Sequence, residues 1–173
     1  MALYLELRLN ALTKSDDVLL ELNRKFAAYM KSVFPFQYDG KVYQLINNYA
    51  ASPHMRCQIC GNYPIIEVSV IESEDYQQLR VGNDCINRLT KREVTNWFKN
   101  YRKKRENVIK NRKYIDGLSL VLGSSLRNGL ASKITERDSE RISSLLEKLI
   151  NGFNPDRRES QLAECYIRRT QYA

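Results

Sequence analysis

The chain has 173 residues, 43% of them hydrophobic and 28% charged, with a formal net charge of +8 and a pI of about 9.3. This composition supports a packed core in one domain or two small ones, and the positive excess favours an anionic partner, nucleic acid before an acidic surface. No apolar run approaches the roughly 20 residues needed to cross a bilayer, and the first residues alternate in polarity where a secretory signal would be continuously apolar, so an intracellular setting with reduced thiols is expected.

Leu3, Leu5, Leu7 and Leu9 alternate with polar neighbours, the period of a half-buried strand over residues 3–9. Thr13 or Ser15 then offers a cap to a helix whose apolar residues Val18, Leu19, Leu22, Phe26, Tyr29, Met30 and Val33 recur at helical spacing until Pro35. Asp39-Gly40 between aromatic-rich arms predicts a tight hairpin over residues 36–43. Residues 1–52 therefore read as a small strand, helix and hairpin unit. Two short strands follow, 65–71 and 78–81, inside a cysteine-bearing segment over 53–90.

From Thr90 onward the pattern is helical, and Thr90-Lys-Arg-Glu93 matches a capping box. Val94, Tyr101, Val108, Ile115 and Leu122 repeat every seven residues, with Trp97, Phe98, Ile109 and Leu118 beside them; the stripe makes one long helix or two separated near Gly117. A further helix runs from a Thr135 cap to Gly152, and Asn154-Pro155 opens the last, which holds Leu162, Cys165, Tyr166 and Ile167. The fold class is α+β, with residues 91–173 forming a helical hairpin or small bundle and the three regions packed as one compact unit.

Three of the four cysteines stand in ligand-type spacing: Cys57-x2-Cys60-Gly61, then Cys85 at a helix start. Cys-x2-Cys followed by glycine is a turn that aims two thiolates at one ion while backbone N–H groups donate to the sulfurs. His54, the only histidine, sits three residues before Cys57 and is the first candidate for a fourth ligand; Cys165 and Asp84 are the alternatives. One structural Zn²⁺ is expected, and a closed Cys3His site leaves no position for a reactive water. Buried, metal-free thiols are the bland alternative.

The order of knuckle, hairpin and helix-borne ligand over residues 54 to about 90 resembles the treble-clef group of zinc fingers. It departs from that pattern at Arg88, where the group places a second helix ligand and arginine cannot bind zinc. Zinc nucleases on such scaffolds use additional histidines, which this chain lacks. The acidic groups Asp16 with Asp17, and Glu72, Glu74 with Asp75, are explained as solvated helix starts or loops before Mg²⁺ sites.

Residues 88–113 carry eleven basic and two acidic side chains, a net +9 that leaves the rest of the chain at −1. Arg88, Lys91, Arg92, Lys99, Arg102, Lys103, Lys104, Lys110 and Lys113 are the candidate phosphate contacts, whereas Trp97, Phe98 and Tyr101 at helical spacing read as core. The expected function is a non-catalytic, zinc-dependent nucleic-acid-binding protein. The alternative is a protein-interaction adaptor of a virus, plasmid or other mobile element that docks on an acidic host or replication protein. A nucleic-acid enzyme ranks third for want of an acid/base set.

Overall fold

Asp39 and Gly40 set the first turn of the sheet. In the computed structural model, which describes residues 13–128 and 134–171, both have positive φ, 47° and 73°, the backbone of a type I′ hairpin. They join β1 (Phe36–Tyr38) to β2 (Lys41–Met55), with Tyr38 opposite Lys41. Strands β3 (Ile65–Ser73) and β4 (Gln78–Val81) complete a four-stranded antiparallel sheet in the order β1-β2-β3-β4. β2 is far longer than the hairpin pattern suggests, because Asn47, Asn48 and Pro53 hide its alternation. It carries irregularities between Leu45 and Asn47 and between Ala50 and Met55.

Six helices lie among the described residues: α1 (Ser15–Ser32), α2 (Asn83–Thr90), α3 (Val94–Lys110), α4 (Arg112–Asn128), α5 (Glu136–Ile150) and α6 (Arg157–Gln171). The class is α+β. None of these helices is long and apolar enough to cross a membrane. The strand expected over residues 3–9 lies outside the described residues.

The chain divides into two compact units. One is Asn23–Tyr101; the other combines the chain from Arg102 onward with the stretch ending at Leu22. The boundary expected near residue 52 falls inside β2, so the first hairpin and the cysteine segment share one sheet. The core of the first unit joins Val33, Tyr43, Leu45, Val68 and Ile71 to Val81, Ile86, Val94 and Phe98. Its aromatic layer is ordered by stacking: Tyr29 lies on Trp97 at 3.9 Å between ring centroids and 3° between planes, and Trp97 is parallel to Tyr101 at 5.6 Å. Of the aromatic residues expected in the core, Phe98 is fully buried, whereas Trp97 and Tyr101 are half-buried.

In the second unit α4 packs against α5 and α6. Asp116 accepts both the backbone N–H and the hydroxyl of Ser15 at 2.8 and 2.9 Å, so the start of α1 is held by a side chain from α4. The seven-residue stripe is buried at Val108, Ile115 and Leu122, but Ile109 is 44% exposed, one residue past the inward face. The two helices of the stripe separate at Asn111, which is buried and donates to Asn154 Oδ1 at 3.0 Å. Gly117 lies inside α4 instead of at the break; a Cβ there would come within 2.5 Å of Ile167 Cδ1, so the glycine admits the α6 side chain.

Thr135 and Asp138 form a full capping box on α5. The other end closes as a Schellman motif: Phe153 N–H donates to Lys148 and Gly152 N–H to Leu149. Gly152 has φ +79°, and an added Cβ would lie 2.9 Å from the Lys104 backbone. Gly152→Ala therefore combines left-handed strain with a backbone clash, and is expected to lower stability by about 2 kcal/mol or more in urea titrations. A loss below about 0.5 kcal/mol would show that this end is not the constraint described.

Candidate metal centre and basic helix

Cys57 follows β2 directly, and the backbone turns at once: Gly61 N–H returns to the Cys57 carbonyl and Cys57 N–H to that of Asn62, both at 2.9 Å. Gly61 adopts φ +73°, the left-handed geometry expected after the second cysteine. Gln58 N–H donates to the Arg80 carbonyl at 2.9 Å, which ties this knuckle to the end of β4. The chain then passes through Gly82 into α2, and Cys85 sits in the first turn of that helix. Gly82 is buried; a Cβ there would meet Ile65 Cγ2 at 2.9 Å.

The result brings Cys57, Cys60 and Cys85 together with their sulfurs within 4.8 Å of one another, a set that could hold a metal ion such as zinc. Cys57 and Cys85 are 1% and 2% exposed and belong to the hydrophobic core, while Cys60 is exposed. Gly82 N–H donates to Cys57 Sγ at 3.4 Å. Burial pushes the Cys57 thiol up, but N–H groups of Cys60, Gly82 and Ile59 favour its thiolate and bring it down to about 7. Burial, reinforced by the other two thiols, pushes Cys85 up to about 11, with Arg88 opposing. A divalent cation bound here would supply the charge needed for three thiolates to coexist.

The other candidates are not in this group. His54 is exposed in the irregular stretch of β2 between Ala50 and Met55, and β2 continues through it to the pairing of Met55 with Ile65. The close turn expected to return its ring toward Cys57 does not form there, because the backbone is still strand. Cys165 is exposed on α6, not packed inward. Asp84 lies nearer the chemistry: with Asn62, Glu67 and Asn83 it lines a cavity of about 410 Å³ that also contains all three cysteines. Glu67 and Asn83 belong to no ligand spacing, which is why the sequence did not single them out.

The acidic clusters resolve into ordinary structure. Asp75 pairs with Lys41 at 2.6 Å, a hydrogen bond that holds its carboxyl below the usual range, and Gln78 donates to Glu72 at 2.7 Å. Asp16 pairs with Arg112, and Asp17 accepts from the Lys14 N–H at 3.4 Å in the first turn of α1.

Thr90 does not cap α3. It is the last residue of α2, where its hydroxyl donates to the Ile86 carbonyl at 2.7 Å; Lys91 follows with φ 53°. The N-terminal N–H of Thr95 goes instead to Asn87 Oδ1 at 3.2 Å. Among the basic candidates, Arg88 reaches Cys85 Sγ at 3.5 Å and Arg92 donates to the Ser32 carbonyl at 3.0 Å. Arg102 and Lys104 are half-buried and partnered. Lys91, Lys99, Lys103, Lys110 and Lys113 are exposed. At 100° per residue, Lys99, Lys103 and Lys110 fall within about 40° of one another around α3 and span about 17 Å of its length.

Comparison with protein-family models, curated proteins and solved structures finds no match to this chain.

Proposed function

We propose that this chain is a zinc-stabilised protein that binds nucleic acid without catalysing a reaction on it. The three-thiolate set supports zinc, which favours sulfur and tetrahedral geometry, and the order of knuckle, β3–β4 hairpin and helix-borne cysteine supports a treble-clef-like finger. Three thiolates donate so much charge to a divalent ion that it is a weak Lewis acid, which favours a structural role.

The observation that carries the reading is the localised charge: +9 within residues 88–113, with Lys99, Lys103 and Lys110 exposed on one face of α3 and without an ion pair among the described residues. A rod with that spacing suits phosphate neutralisation, which attracts without reading sequence.

Mobility-shift titrations of zinc-loaded protein on single- and double-stranded DNA and RNA test this. Affinity is expected to fall with salt at a log–log slope of about −3 to −5, for three to five neutralised phosphates. No shift at low salt with micromolar protein would remove the proposal. Salt-sensitive association with an acidic protein, and none with nucleic acid, would establish the adaptor reading in its place.

A further inference from the structure

We infer that the metal at Cys57, Cys60 and Cys85 keeps its fourth coordination position open to the adjoining cavity, and that this position takes an exchangeable neutral donor bearing N–H or O–H groups: water at rest, imidazole in its place. The inference rests on the metal-binding half of the function proposed above and is independent of the nucleic-acid half.

A tetrahedral ion held by three thiolates needs a fourth donor. Among the described residues, the group whose ligand atoms converge comprises those three cysteines. The three cysteines themselves line the cavity of about 410 Å³, which has room for an ion and a further donor, since one water needs only about 15 Å³ of such space.

The walls say what chemistry fits. Asn83 Nδ2 donates to Glu67 Oε2 at 3.1 Å, which fixes both side chains in the wall and leaves the amide oxygen enclosed, with no hydrogen-bond partner among the described residues. The carboxylates of Glu67 and Asp84 line the same space. A water or imidazole on a divalent cation is a stronger hydrogen-bond donor than a free one, because the metal withdraws electron density. The Asp84 carboxylate in this wall suits such a donor.

An anion meets the opposite situation. Three thiolates on a divalent ion leave a net charge of −1, and the Asp84 carboxylate adds to it; the Arg88 guanidinium on Cys85 Sγ offsets part of this. Neutral donors are therefore preferred. The exchange breaks a metal–oxygen bond to water and makes a metal–nitrogen bond to imidazole. Water leaves intact, and no proton or electron moves.

Cobalt(II) in the full-length protein reports both features, through a thiolate-to-cobalt charge-transfer band and through d–d bands sensitive to the fourth ligand. Titration at about pH 8, where free imidazole is neutral, separates the cases. Imidazole is expected to shift the d–d bands saturably, and azide at equal concentration to leave them unchanged. His54→Ala should titrate like the parent. Asp84→Ala should keep the charge-transfer band and bind imidazole about tenfold more weakly.

A parent spectrum indifferent to imidazole overturns the open position; a change in that spectrum on His54→Ala or Asp84→Asn then identifies the side chain that closes it. An equal response to azide overturns the preference for neutral donors. Absence of the charge-transfer band overturns the metal centre itself, whatever the protein does with nucleic acid.

Discussion

Replacing Cys57 or Cys85 with serine, or stripping the metal with a chelator, is expected to unfold the unit Asn23–Tyr101. Both sulfurs sit in its core with Ile65, Val81 and Ile86, and the knuckle is tied to β4 by the Gln58–Arg80 backbone bond and to the entry of α2 by the Gly82 N–H on the Cys57 sulfur. Structural zinc contributes on the order of 10 kcal/mol, comparable to the whole stability of a typical domain at about 5–15 kcal/mol. Without the ion, buried thiols repel or must stay protonated, and the link between β2 and β3 loses its anchor.

Trp97, the only tryptophan, stacks on Tyr29 inside this unit, so its fluorescence and near-ultraviolet dichroism report the loss directly. Cys165→Ser serves as the control, expected to keep metal content and melting temperature because its thiol is exposed on α6. A Cys57→Ser protein that melts like the parent with one equivalent of zinc still bound would show that the centre is misplaced.

The second large effect is expected from the triple variant Lys99→Glu, Lys103→Glu, Lys110→Glu. These lysines are exposed and share a face of α3, so folding should change by less than about 0.5 kcal/mol per site. Three lost phosphate contacts would flatten the salt slope by about 2.7, and the added negative charges repel the backbone. Affinity near 0.1 M salt should then fall on the order of 100-fold. Lys104 is a poorer site for such a test, because it is half-buried, contacts Asn151 and packs against Gly152. Unchanged affinity and slope in the triple variant would place the nucleic-acid surface elsewhere or remove it.

Short-range chemistry was legible from the residues. Asp39-Gly40 can form a type I′ turn with little strain, Thr135 can cap a helix with its hydroxyl, and Cys-x2-Cys-Gly can aim two sulfurs at one point; each is decided within five residues. Choices that depend on distant neighbours were not. Thr90 had two helices to serve and closed the earlier one, because Asn87 already accepts the N–H of Thr95. Gly117 looked like a helix break, yet its missing side chain makes room for Ile167, fifty residues later in the chain. The break came at Asn111, whose buried amide bonds to Asn154.

The same division runs through the candidate centre. Three cysteines within a 29-residue stretch determined that a metal-binding cluster could exist, because thiolate chemistry and knuckle geometry are local properties. The fourth ligand was a tertiary question. His54 is near Cys57 along the chain, but the strand that carries it runs on to Met55, and its ring is not among the ligand atoms that converge. Glu67 and Asn83, sixteen residues apart on β3 and α2, meet beside the sulfurs only because the sheet and the helix that follows it fold together. Local spacing sets which residues can turn toward one another; only the packed sheet and helices settle which of them do.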